Sequence, residues 1–170
     1  MILSLLRVVY DKRARDGTWC KLPYGKVGTR KDGSPIYSHP NGCPNFGDPS
    51  KCPKKYPDFN TLPPMRWYAV IHSFDLQARE EEYMKKPWVK SKRQARCVLY
   101  WQSGHMAELM AMAEEFREAE LKSGSIILEV PEACGVHVYE TMKLHGFALK
   151  PITEDLDVAH KIVLAGEPLS

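Results

Sequence analysis

The feature that most constrains this chain is a dense run of turn-forming residues in its N-terminal third. Residues 17–64 hold nine of the 13 prolines and six of the 11 glycines. Proline fixes φ and removes a backbone donor, so this density excludes long helices and strands. Such a long irregular stretch inside a compact protein is uncommon unless it is disordered or something other than secondary structure orders it.

The same segment carries many aromatic side chains, and aromatic residues are scarce in disordered chains. They are Trp19, Tyr24, Tyr37, Phe46, Tyr56 and Phe59. We therefore expect an ordered segment, and a bound metal would supply that order.

Composition and length favour a single globular domain over residues 1–170, with a metal-binding segment at 17–64 and a core at 65–170. The net charge of +3 is only a mild excess, so it favours anionic partners without requiring one. A signal peptide and a long uncharged apolar run are both missing from the sequence, which predicts a cytoplasmic protein without a membrane span. In a reducing compartment the five cysteines are expected to be free or metal-bound thiols.

The chain beyond residue 65 reads as alternating strands and helices. This order predicts an α+β fold, or a small α/β fold, with three or more strands packed by helices and the irregular segment ordered by metal. Ser91 and Gln94 form a capping-box pattern at the start of one helix, and Ser103-Gly104 is expected to kink or divide it. The predicted strands are 67–72, 125–130 and 161–165, and the predicted helices are 77–86, 91–121 and 131–146.

The cysteines lack the closely spaced pairs that are typical of zinc fingers and ribbons. Their local context is more informative, because Cys43 and Cys52 each precede a proline inside a turn. Such turns present a thiolate from a stiff loop, and turn glycines let backbone amides approach the sulfur. We therefore predict that Cys20, Cys43 and Cys52 are metal ligands, whereas the pattern around Cys134 favours a small buried hydrophobic residue.

Two blocks of the sequence carry a family resemblance. The segment from Gly42 to Gly47 reads Gly-Cys-Pro-Asn-Phe-Gly and is followed by Cys52-Pro53, and residues 131–141 read Pro-Glu-Ala-Cys-Gly-Val-His-Val-Tyr-Glu-Thr. The chain resembles a family of small, uncharacterised proteins that are described as predicted metal-binding and suspected of carrying iron-sulfur clusters. Two departures are the lysine at position 54, where the family has a second proline, and the lack of the family's later cysteine cluster beyond Cys97 and Cys134.

The resemblance implies that Cys43 and Cys52 are ligands and that Cys20 is the third. It also implies one iron-sulfur cluster, of the 4Fe-4S type, with an electron-transfer, sulfur-handling or base-modification role. The alternative is a zinc-stabilised module that binds nucleic acid without catalysis.

A fourth ligand is needed to complete such a centre. Cys97 is predicted for this position, since it lies in the second turn of a predicted helix, where the helix dipole favours a thiolate. Cys134 is a rival by the same argument and His39 is a weaker one. An exogenous group is the remaining alternative.

A basic segment surrounds Trp88, with six positive charges between Lys85 and Arg96. Positive charge in the first turn of a helix opposes the helix dipole and indicates an anionic partner, either nucleic acid or a phosphate-bearing small molecule. The alternative is a solvated face balanced by the acidic residues 80–82. The residues predicted to bind the anion are Lys90, Lys92, Arg93, Arg96 and Trp88.

The sequence lacks the motifs of several common enzyme classes. It contains no Gly-rich phosphate loop, no His-Glu-x-x-His pattern and no Ser-His-Asp order, so the usual hydrolase and nucleotide triphosphatase patterns do not apply. His72 and His137 are expected to be hydrogen-bonded core or surface residues.

Overall fold

The computed structural model describes residues 1–48, 50–97, 101–150 and 156–169, with residues 24–27 and 38 described by their backbone alone. The fold is α+β, which confirms the predicted class. The strands are β1 (Ile2–Leu5), β2 (Tyr24–Thr29), β3 (Pro35–His39), β4 (Met65–Asp75), β5 (Ile126–Leu128) and β6 (Val158–Pro168). The helices are α1 (Lys12–Arg15), α2 (Leu76–Met84), α3 (Lys92–Ala95), α4 (Gln102–Glu120) and α5 (Val138–Leu144), and short 3-10 turns occupy Phe59–Thr61 and Pro131–Cys134.

The chain divides into two compact units. The first, here called the sheet unit, comprises Met1–Arg7, Pro64–Glu129 and Met142–Ser170. The second, here called the cysteine unit, comprises Val8–Pro63 and Val130–Thr141. The organisation into a single domain stays a prediction.

The sheet unit is built on a four-stranded antiparallel sheet in the order β1-β4-β6-β5. Strands β4 and β6 pair along their whole length, from Met65 opposite Pro168 to Asp75 opposite Val158. Aromatic and β-branched residues suit this pleated surface, and the strands predicted at 67–72 and 161–165 lie within β4 and β6. Strand β1 was not predicted, and β5 is shorter than the predicted strand at 125–130.

Helix α4 covers this sheet with an apolar stripe. Leu109 and Ala113 are fully buried against Val70, Val163 and Ala165. Burying a leucine side chain contributes about 1.5–3 kcal/mol, so this contact is a main source of stability in the sheet unit.

The predicted helix over 91–121 is wrong as a single element. The Ser91 hydroxyl accepts a hydrogen bond from the Gln94 amide at 3.2 Å, as the capping pattern predicts, but α3 ends four residues later at Ala95. Helix α4 then begins at Gln102, upstream of the predicted division at Ser103-Gly104, and residues 98–100 lie outside the described residues. The predicted helix over 131–146 is likewise divided into the 3-10 turn Pro131–Cys134 and α5.

The cysteine unit contains more regular structure than the proline and glycine content predicted. Strands β2 and β3 pair as an antiparallel hairpin, which corrects the expectation of a wholly irregular segment. The proline rule still holds locally, because the one proline in these two strands, Pro35, is the first residue of β3. None of the helices in the described part of the chain combines the length and apolar character needed to cross a membrane.

Candidate metal centre

Three of the predicted ligands line a single pocket in the cysteine unit. Cys20, Cys43 and Cys52 share a cavity of about 440 Å³. The rest of its lining is mostly apolar, with one acidic residue: Ala14, Trp19, Leu22, Pro23, Val130, Ala133 and Glu132. A pocket with three thiols and apolar walls suits a soft metal centre shielded from water.

Backbone hydrogen bonds join the segments that carry these thiols. The Cys43 amide donates to the Cys20 carbonyl at 2.6 Å. The Gly47 amide donates to the Cys52 carbonyl at 2.8 Å, and Phe46 and Cys52 form an isolated parallel bridge. The three cysteines therefore belong to one hydrogen-bonded framework.

Glycine is required directly before Cys43. Gly42 has φ +85°, and a Cβ atom there would overlap the carbonyl oxygen of Cys20. The loop can therefore bring the Cys43 amide onto Cys20 only because position 42 has no side chain. Gly17 permits a second close approach, since a Cβ on it would overlap the ring of Phe46.

Arg15 connects α1 with two other parts of the cysteine unit. Its guanidinium donates to the carbonyls of Tyr56 at 3.2 Å, Pro57 at 3.1 Å and Ala133 at 2.8 Å. It also forms an ion pair with Asp58 at 3.1 Å. These bonds attach the 3-10 turn Pro131–Cys134 to the N-terminal part of the unit and hold that turn beside the pocket lining.

Burial and mutual repulsion both act on the pocket thiols. The pKa of Cys20 is raised, mainly by burial and to a smaller extent by the neighbouring Cys43. The pKa of Cys52 is also raised, mainly by burial and to a smaller extent by Cys20 and Cys43. Burial and the neighbouring thiols therefore disfavour the thiolate forms when no cation is present. A bound cation would relieve the repulsion among the thiolates.

Cys134 lies in the same unit as the pocket and is fully buried. Burial raises the pKa of its thiol to about 12, and Cys52 is among the groups close enough to contribute to that rise. The sequence pattern predicted a buried hydrophobic role for Cys134, and its burial agrees with that prediction. Cys134 itself is not among the residues that line the pocket, although the preceding Glu132 and Ala133 are.

The other two candidates for the fourth position are Cys97 and His39. Cys97 belongs to the sheet unit and lies two residues after the end of α3, so the prediction that it lies in the second turn of a long helix is wrong. Its amide donates to the Gln94 carbonyl at 3.1 Å. His39 ends β3 in the cysteine unit, and its carbonyl accepts from the Gly42 amide at 3.3 Å. Like Cys134, neither is among the residues that line the pocket, and the ligand roles of all three stay predictions.

The basic segment is partly neutralised within the sheet unit. Glu80 is buried and forms ion pairs with both Lys92, at 3.3 Å, and Arg96. Arg96 also donates to the Leu156 carbonyl at 2.9 Å. Arg96 therefore has a structural role that joins α2 to the residues after α3.

The remaining basic-segment residues are more exposed. The Lys90 ammonium donates to the Pro87 carbonyl at 2.6 Å, and the half-exposed Trp88 packs edge-on against Tyr83 at 5.9 Å between ring centroids. Arg93 lies on α3 with an exposed side chain. Anion binding by these residues stays a prediction.

A second group of ligand-type side chains lies in the sheet unit. Among the described residues, the one set of three His, Cys, Asp or Glu side chains whose ligand atoms all lie within 4.8 Å of one another is His72, His105 and Glu108. Of these three residues, only His72 was considered from the sequence. The group was not predicted because it joins His72 on β4 to His105 on α4, which lies 33 residues later in the chain. The three-residue spacing of His105 and Glu108, which places both on one face of α4, was the available signal.

The chain was compared with protein-family models, with curated proteins and with solved structures, and no match was found in any of the three. The resemblance carried by the two cysteine-containing blocks therefore stays a prediction.

Proposed function

We propose that this chain is a metal-binding protein in which Cys20, Cys43 and Cys52 hold one iron-sulfur cluster. The observation that carries the proposal is the convergence of these three thiols on one pocket with largely apolar walls. They come from three separate turns, and the hydrogen bonds between those turns fix their positions. Three thiols that converge in this way can act together on one soft metal centre.

The sequence spacing of the cysteines supports a cluster over a single zinc ion, because the closely spaced cysteine pairs that are typical of zinc sites are missing. A cluster distributes its ligands over several irons and accepts wider spacing.

Cys134 is our proposed fourth ligand. It shares the cysteine unit with the pocket and directly follows the pocket-lining residues Glu132 and Ala133. Cys97, the first choice from the sequence, is the competing assignment and is tested beside it.

A bound cluster would supply one-electron redox chemistry, whose potential depends on burial and on hydrogen bonds to the sulfurs. The residues of the chain would set these conditions. Apolar side chains such as Trp19 and Val130 line the pocket beside the thiols and would lower the polarity around a bound cluster. An electron-transfer, sulfur-handling or base-modification role is compatible with this site.

The experiment is anaerobic purification of the full chain, followed by iron and acid-labile sulfide analysis and visible absorption. We expect about four irons per chain for a 4Fe-4S centre. Serine substitution of Cys20, Cys43 or Cys52 should reduce iron content severalfold. Cys134→Ala should do the same, while Cys97→Ser should keep the wild-type iron content.

The variants separate the two assignments of the fourth ligand. If Cys97→Ser loses iron and Cys134→Ala keeps the wild-type iron content, Cys97 rather than Cys134 is the fourth ligand. One zinc per chain and no iron, under strictly anaerobic conditions, would contradict the cluster itself.

The alternative of a zinc-stabilised nucleic-acid-binding module has weaker support. Glu80 pairs with both Lys92 and Arg96, and its single negative charge offsets one of the six positive charges on which that alternative depends. Its test is salt-dependent binding to DNA or RNA that falls when Lys90 and Arg93 are replaced.

A further inference from the structure

The strand β4 and the helix α4 bring two imidazoles and a carboxylate together in the sheet unit. The His72 Nε2 atom lies 3.0 Å from His105 Nδ1 and 3.0 Å from Glu108 Oε2. The third side of this triangle, from His105 Nδ1 to Glu108 Oε2, is 3.5 Å. Three potential ligand atoms therefore form a nearly equilateral triangle.

These distances match one face of a metal coordination shell. Nitrogen and oxygen ligands at about 2.0–2.1 Å from a tetrahedral zinc ion lie roughly 3.3–3.4 Å from one another. A single proton on His72 Nε2 would have to be shared between two acceptors, whereas a cation would engage a lone pair on each of the three atoms. The geometry therefore suits a metal ion better than it suits one hydrogen bond.

The two histidine rings are held in place by their surroundings. Phe74 stacks on His105 with ring centroids 3.8 Å apart and an interplanar angle of 12°. His72 is only 15% exposed and projects from the centre of the pleated sheet. Packing that fixes ligand orientation reduces the ordering cost of binding.

The charges around this triangle have opposing effects on cation binding. Glu108 supplies a negative charge and is 61% exposed, which leaves one side of the triangle open to solvent. Lys161 lies opposite His72 in β6, on the same face of the sheet, and its ammonium approaches the Met106 sulfur at 3.9 Å. A positive charge on this face of the sheet acts against cation binding, in the opposite sense to the carboxylate of Glu108.

From this geometry we infer that His72, His105 and Glu108 form a second metal site, which binds a divalent first-row transition metal such as zinc and leaves one coordination position open. Two imidazoles and one carboxylate are the ligand set of many catalytic metal sites with an open position. The site uses none of the cysteines and does not depend on the proposed cluster.

The test is titration of the full chain with Co²⁺, followed by displacement with Zn²⁺. We expect cobalt at this site to give visible d–d bands of its own, separate from any thiolate-to-cobalt charge transfer at the cysteine pocket, because its protein ligands are nitrogen and oxygen. The substitutions His105→Gln and Glu108→Gln should each weaken this binding at least tenfold.

Two variants of the same unit serve as matched controls. His160→Gln removes a histidine that is bonded to Ser73 Oγ, and Glu115→Gln removes an exposed charge from the same helix; both should bind cobalt as the wild type does. Circular dichroism identifies any variant that has unfolded. If His105→Gln unfolds, Glu108→Gln still tests the site, because Glu108 is exposed and its replacement should leave the fold intact. Cobalt bound solely with thiolate bands, or bound equally well by Glu108→Gln, would overturn the inference.

Discussion

Gly42 shows how a single residue controls the cysteine pocket. Its positive φ and the carbonyl of Cys20 both exclude a side chain. We expect Gly42→Ala to destabilise the metal-free protein by about 1–2 kcal/mol from backbone strain, with about 1–3 kcal/mol more from the overlap. Urea unfolding measures this loss, and iron content after anaerobic purification should fall with it.

Gly47→Ala is the matched control for this substitution. Gly47 lies in the same loop with φ +86°, but a Cβ atom there meets nothing within 4 Å. Gly47→Ala should therefore lose only the stability that backbone strain costs, and it should keep its iron content. Equal effects of the two substitutions would mean that the approach to Cys20 does not matter.

At the residue scale, the sequence was informative where the chemistry is local. The cysteine-proline turns identified Cys43 and Cys52 because turn geometry depends on neighbouring residues, and Cys20 was predicted from its place in the same aromatic-bearing segment. The proximity of Cys134 to Cys52 and the approach of His105 to His72 depend on tertiary packing. Neither can be read from spacing along one chain.

At the scale of elements, Glu80 holds α2 to the residues around α3. Replacing it with glutamine leaves the partly buried guanidinium of Arg96 without its counter-charge. We expect Glu80→Gln to destabilise the protein by about 2–4 kcal/mol in urea unfolding, since breaking a buried ion pair is costly.

The control for Glu80 is Glu82→Gln on the same helix. Glu82 is more than half exposed and pairs with Arg79 and Lys86, so its loss should change stability by less than about 0.5 kcal/mol. A similar loss in both variants would show that burial of the Glu80 pair is unimportant.

The Glu80 pair also makes a prediction about pH. The hydrogen bond from Arg96, helped by Lys92, lowers the pKa of Glu80 below its ordinary value of 4.5. The pair therefore stabilises the folded state fully above pH 4.5, and its contribution is lost as the pH falls through the lowered pKa. The stability difference between wild type and Glu80→Gln should shrink across that acidic range, as measured by urea unfolding at several pH values.

Element boundaries were harder to predict than element types. The Ser91 cap was identified correctly, yet the helix after it is only four residues long. The buried Trp101 packs on Phe74 at 4.8 Å, and its indole donates to the Arg96 carbonyl at 3.3 Å. These tertiary contacts just before α4 favour a break there, which local propensity cannot register.

At the scale of the whole molecule, the two units should respond differently to metal removal. If the cluster orders the cysteine unit, a chelator should increase amide exchange at least tenfold at Cys43, Gly47 and Cys52. The amides shared by β4 and β6 should keep their protection, because the packing of α4 on the sheet supports them. Hydrogen exchange with mass spectrometry measures both, and uniform loss in the two units would contradict separate stabilisation.

The α+β class followed from the pattern of the chain beyond residue 65, where strands and helices have clear periods. The hairpin of β2 and β3 was missed because its glycines and prolines obscure strand propensity. The pairing of β1 with β4 joins residues more than 60 positions apart, and that kind of contact has no local signature.

The chain order of the cysteine unit has a consequence for its synthesis. Its first part ends at Pro63 and its second part begins at Val130, so the ribosome must add about 70 residues between them. At roughly 5–20 residues per second this takes several seconds. During that interval the nascent chain carries three thiols but lacks the turn that Arg15 binds. Metal loading is therefore expected after translation has passed residue 141, and reductants or carrier proteins that protect nascent thiols should increase the yield of loaded protein.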